Sequence, residues 1–172
     1  MRFLKIFFLS VLFVACSTAR IDYDRGADFS AYKTFSFYPE MNSGLNQLDE
    51  KRIIAQTEAL LRSRGFVRSD NPDMYINIFT RQYETPYNSS VGIGIGSGGR
   101  RGGFGISGGI PIRSNSTTQE ITFDLIDAQK DDLFWQGVYE AKIGNNSSPE
   151  AREQMYRKVV QKVFGKYPPG RK

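Results

Sequence analysis

Histidine is absent from this 172-residue chain, and cysteine and tryptophan occur once each. With no His and a single Cys there is no Ser-His or Cys-His pair, no His/Cys zinc site, no haem ligand set and no internal disulfide. Carboxylates are present, but no pair stands out from the background of surface charge as glycosidase chemistry would require. No catalytic residue, metal ligand or cofactor is therefore expected. Long basic runs interleaved with aromatics are also missing, so nucleic acid is not an expected partner. The sequence pI of about 9.3 overstates the basic character. Without Arg2 and Lys5 the net charge falls from +5 to about +3.

What is present begins at the N-terminus. Arg2 and Lys5 form a short positive region, Ile6 to Ala15 are dominated by apolar side chains, and the small Ala15 precedes Cys16. This is the layout of a secretory signal, too short for a membrane span, which needs about 18 residues or more. Phe13-Val14-Ala15-Cys16 resembles the lipobox of bacterial lipoproteins, with Phe13 where Leu is usual. The resemblance implies cleavage before Cys16, diacylglycerol on its sulfur and a third acyl chain on its new amine. Two or three acyl chains hold a protein durably where one holds marginally. The expected partner is then a membrane, reached through these chains. Ser17 follows the cysteine where inner-membrane sorting calls for Asp, so the outer membrane is expected. No acidic cluster follows, which points to the periplasmic side.

The rest divides into a lead-in and one domain. Residues 16–31 read as the acylated N-terminus and an ordered lead-in, and residues 32–169 as a single domain. Tyr32 to Tyr38 alternates and stops at Pro39, as a strand does. Asn46 can cap a helix whose Ile53, Ile54, Thr57, Leu60 and Leu61 share one face. Gly65 supplies its stop, and Phe66 is placed to pack back on the last turn. After the Asn71-Pro72-Asp73 turn, Met74 to Thr80 reads as a second strand, parallel to the first through a crossover. Ile121 to Leu125 and Leu133 to Ile143 form the clearest hairpin. Ser148 and Pro149 start a last helix lined by Met155, Val159, Val160, Val163 and Phe164, with Pro168 and Pro169 ending it.

Residues 91–110 hold ten of the chain's 17 glycines. They read as a glycine-rich β-hairpin with a mobile tip, or alternatively as a low-complexity loop. Gly94 to Gly99 matches G-x-G-x-x-G in letters only, since no helix can start at Arg100-Arg101-Gly102-Gly103 to receive a pyrophosphate. Arg100 and Arg101 are candidate contacts for phosphate or carboxylate groups, against the simpler reading as solubility charges. Trp135 is a core residue by default, and a ligand-stacking candidate if its face is open. Asp127, Asp131 and Asp132 lack EF-hand spacing and read as a solvated turn.

Asp22-Tyr23-Asp24 followed by Ala27 to Phe37 resembles the opening signature of domain of unknown function 4136, a family of bacterial envelope lipoproteins. Arg64-Gly65-Phe66 is similar to that family's first-helix exit. Asp124 to Asp127 with Leu133 to Gly137 resembles its central hairpin, and Tyr167-Pro168-Pro169 its C-terminal end. Glu120-Ile121-Thr122 departs from the Gly and Leu usual there. The resemblance covers about residues 21–169 and implies an envelope-anchored α+β domain, with no catalytic residues to carry over.

The expected fold is α+β: a mixed four- to five-stranded β-sheet with two α-helices packed on one face, in the order β-α-β-β-β-β-α. The expected role is a non-enzymatic lipid-anchored structural or interaction module, attached through Cys16 and meeting another envelope protein, glycan or lipid. The alternative is a lipid-, glycan- or peptide-binding module using the open sheet face and the glycine-rich hairpin.

Overall fold

The computed structural model describes residues 18–84, 90–91, 110–111, 116–144 and 146–170. Cys16, Arg100, Arg101 and the glycine run between residues 92 and 109 lie outside the described residues. The elements are β1 (Arg20–Tyr23), β2 (Thr34–Phe37), α1 (Gln47–Ser63), β3 (Val67–Arg68), β4 (Met74–Glu84), β5 (Ser90–Val91), β6 (Ile110–Pro111), β7 (Ser116–Asp127), β8 (Leu133–Gly144) and α2 (Pro149–Phe164).

The fold is α+β, with a six-stranded mixed sheet in the order β1-β8-β7-β4-β2-β3. The expected crossover is there: β2 and β4 pair in parallel, with α1 between them. Two short edge strands raise the count above four or five. The lead-in supplies β1, antiparallel to β8, and the residues after the helix supply β3, parallel to β2. The sheet therefore starts at Arg20 rather than at residue 32. Both extra strands are too short to show periodicity and exist because a neighbour's free edge pairs with them. β5 and β6 pair antiparallel as a separate two-stranded unit.

Alternation along the strands sends Ile76, Ile78, Ile121, Phe123, Leu125 and Trp135 to one face, where all are fully buried. The helices cover that face. α1 contributes Ile53, Thr57 and Leu61, and α2 contributes Tyr156, Val159, Val160, Val163 and Phe164. The helix starts are set locally. The Asn46 side chain accepts from the N–H groups of Leu48 and Asp49, and Ser148 Oγ accepts from Ala151 N. α1 ends in a Schellman motif: Gly65 takes φ +89°, Phe66 N donates to Leu61 O and Gly65 N to Arg62 O. α2 stops at Phe164, ahead of the prolines expected to end it. The N–H of Gly165 still bonds back to Gln161 O, and the chain then turns toward Tyr167.

The helices run side by side in the same direction. Asp49 meets Arg152 near both N-termini, Gln56 meets Glu153 and Arg157, and Arg64 reaches the carbonyl of Phe164 at the far end. No helix among the described residues is long and apolar enough to cross a membrane.

Candidate functional site

Three segments far apart in sequence converge beyond one end of the sheet. They are the β1–β2 loop, the exit of α1 and the residues after α2, and together they line a cleft of about 1170 Å³. These are three of the four blocks on which the family resemblance rests.

The β1–β2 loop is shaped by its own carboxylates. Asp24 Oδ1 accepts from Gly26 N at 2.8 Å, and Asp28 Oδ1 accepts from Ser30 N at 3.0 Å and Ser30 Oγ at 2.7 Å. Between these turns Phe29 drops inward. Its ring lies 6.0 Å from Tyr23, 5.8 Å from Phe134 and 5.9 Å from Tyr167, centroid to centroid. Tyr32 stacks on Phe134 at 4.0 Å and donates its hydroxyl to Asp127 Oδ2 at 3.0 Å. Burial, with help from that bond, pushes the Tyr32 hydroxyl up to about 12. The loop closes where Lys33 N and Thr34 N donate to Asp73 Oδ2 at 2.9 and 2.8 Å. Those N–H groups hold the Asp73 carboxyl below its ordinary value.

The other two walls are clamped together. Arg64 Nη1 donates to Phe164 O at 2.6 Å and Tyr167 O at 3.1 Å, tying the end of α1 to the tail of α2. Phe66 packs against Tyr167 at 6.1 Å, and Tyr167 lies at 5.4 Å from Trp135. Tyr167 is 4% exposed, and burial raises its hydroxyl well above the usual tyrosine range.

The cleft thus combines an aromatic and proline wall with a charged rim. Arg25, Lys33 and Arg64 stand there against one carboxylate, Asp28. Arg25 and Lys33 are exposed, and neither forms a salt bridge among the described residues. Beside the cleft, a hollow of about 400 Å³ is lined by Asp24, Asp28, Asp73, Asp127 and Asp132. Four of these carboxylates, Asp24, Asp28, Asp73 and Asp127, accept from backbone N–H groups. Burial works against the Asp127 carboxylate, yet the N–H groups of Lys130 and Gln129 outweigh it and keep its pKa low. Among the described residues no three His, Cys, Asp or Glu side chains gather as metal ligands.

Trp135 is the core residue of its default reading, and its candidacy as a ligand-stacking residue is corrected. Its indole is 0% exposed and packed on Phe164 at 5.7 Å, so it cannot stack on a ligand. The register places it on the helix-covered face opposite Leu125 and Tyr23. Arg25, Phe29, Lys33, Arg64 and Tyr167 were not singled out from the sequence as site residues. The signal that marks Phe29, Lys33, Arg64 and Tyr167 is their membership of the resemblance blocks, whereas Arg25 falls in the gap between two of them.

Fold and cleft define an open-faced α+β domain with an aromatic, basic-rimmed groove at one end. The chain belongs to the family described as domain of unknown function (DUF4136), which matches residues 19–169. No curated protein matches it. Among solved structures it is similar to a PDZ domain protein from Parabacteroides distasonis, at TM-score 0.60 and 18% identity over 91% of this chain and 36% of that one. The chain therefore spans about a third of that protein's length, and the likeness is one of fold. PelC from Paraburkholderia phytofirmans, solved as a dodecamer in two crystal forms, matches at TM-scores of 0.48 and 0.46 and 13% identity. Those matches cover 85% of this chain and 96% and 95% of PelC.

Proposed function

We propose that this protein is a non-enzymatic lipoprotein of the bacterial envelope, anchored through Cys16 to the outer membrane and facing the periplasm. It serves there as an interaction module, with the cleft as its working surface. The observation that carries this reading is the start of the sheet. Arg20 opens β1 only four residues after Cys16, a reach of at most about 14 Å for extended chain. β1 then runs toward the cleft: Arg20 pairs with Val138, midway along β8, and Tyr23 lines the cleft beside Trp135. An anchor at Cys16 holds the domain close to the bilayer and turns the cleft away from it.

The non-enzymatic part of the reading draws on how the polar groups near the cleft are used. Asp73 and Asp127 hold backbone N–H groups, and Ser30 is bonded to Asp28. Ligand capture on the open sheet face has less support, because charged and polar groups there bond to one another. Arg20 bridges Glu120 at 2.9 Å and Glu140 at 3.0 Å, and Gln136 donates to Asp124 at 2.8 Å.

Cys16→Ala tests the anchor. The variant is expected in the soluble fraction, with no acyl mass on its N-terminal peptide. Retention in the membrane fraction at the wild-type level would refute the proposal.

A further inference from the structure

Resting on the reading of this domain as an interaction module, we infer that the cleft holds a glycan strand bearing carboxylate groups. Charge is the first argument. Arg25, Lys33 and Arg64 face the groove with Asp28 as the one opposing carboxylate, and Asp28 Oδ1 is already taken by Ser30. Guanidinium and ammonium groups on a partly dehydrated rim favour a carboxylate through charge-assisted hydrogen bonds. Arg64 is fixed in place by its two carbonyl partners, so its remaining N–H groups are presented at little entropic cost.

The second argument is the shape and chemistry of the wall. Phe29, Phe66, Tyr23 and the Pro168-Pro169 pair offer flat apolar surface between polar rims. A sugar ring has the same division: a C–H face that packs on such surface and an edge of hydroxyls that needs donors and acceptors. The volume of about 1170 Å³ exceeds the roughly 300–1,000 Å³ of ordinary small-ligand pockets, so the groove suits several units of a chain.

A peptide strand fits less well. Strand addition takes its affinity from a long free edge, and the edge strands flanking this end, β1 and β3, have four and two residues. A bilayer headgroup also fits less well, since β1 enters heading toward the cleft.

The test is titration of the full acylated chain, purified in detergent, with an oligogalacturonate. Binding is expected, weakening as salt rises. A maltooligosaccharide of equal length should bind at least about tenfold more weakly. Arg25→Glu/Lys33→Glu should weaken oligogalacturonate binding at least about tenfold, and Arg25→Gln/Lys33→Gln by an intermediate factor. Both positions are exposed, and an unchanged melting temperature confirms that the variants are folded.

Absence of oligogalacturonate binding, or equal binding by the charge-reversed variant, overturns the inference. So does equal or tighter binding of oligoglutamate or of glycerol phosphate, which carries the charge of an anionic lipid headgroup without its acyl chains. Running Cys16→Ala through the same titration separates the two proposals. Loss of anchoring leaves the titration curve unchanged, and loss of glycan binding leaves membrane fractionation unchanged.

Discussion

A methyl group at position 137 has no room. A Cβ there would lie 2.5 Å from Trp135 Cη2 and 2.5 Å from Val163 Cγ1, because the indole folds over its neighbour two residues along the same face. In sequence both residues fall within the strand read over Leu133 to Ile143, and the packing reason for a glycine there appears only once the ring is seen lying across it. Gly137→Ala should cost about 1–3 kcal/mol by overpacking, measured by chemical denaturation. Asp124 is predicted to behave in the opposite sense. Burial raises its pKa above the ordinary 3.8, against the bonds from Gln136 and Asn77. Its charged form is thus less favourable in the folded chain than in the unfolded one, which costs stability at neutral pH and ceases to do so as pH falls through the raised folded value. Asp124→Asn should raise the melting temperature at pH 7, by less than about 1 kcal/mol in stability given residual screening. The gain should vanish in acid; a gain of equal size at both pH values would contradict the assignment to charge.

At the level of single elements the local signals were strong. Asn46, Ser148 and Gly65 all sit at the helix ends that their side chains, or lack of one, suggest. Caps are legible because they act within a turn of the helix they close. Asp49 shows where this stops. In sequence it is an acidic residue of the first turn of α1, suited to the helix dipole. In the fold it is 1% exposed and joins two helices, accepting from Arg52 Nη1 and Arg152 Nη1 at 2.7 Å each and from Asn46 Nδ2 at 2.8 Å. Removing the carboxylate leaves two partly buried arginines facing each other without an anion. Asp49→Ala should therefore lose about 2–3 kcal/mol, below the 3–5 of a fully buried pair because both arginines keep some water. Urea denaturation of the variant measures it. β1 and β3 mark the other limit: strands of four and two residues carry too little pattern to be recognised without their partners.

For the whole molecule, tyrosine burial sets the alkaline boundary of stability. Tyr32 titrates at about 12 in the fold, and burial moves Tyr156 and Tyr167 higher still, from an ordinary 10.0. A group whose folded pKa is raised contributes its full stability below the unfolded value and loses it as pH rises through the folded one. The melting temperature should accordingly hold up to about pH 10 and fall steadily between about 10 and 12. A melting temperature that stays flat across that interval would show that these hydroxyls are not dehydrated.

Two helices, their caps, the β7–β8 hairpin and the crossover between β2 and β4 were specified by local pattern, because periodicity and capping act over a few residues. The anchor reading at Cys16 is local in the same way. The cleft was not legible, since Tyr23, residues 25–33, 64–66 and 167–170 meet only after the sheet has been ordered β1-β8-β7-β4-β2-β3 and both helices run to the same end. The same holds for the side on which Trp135 lies: a shift of one residue in register would turn it from the core to solvent, and pairing between distant strands is what sets that register.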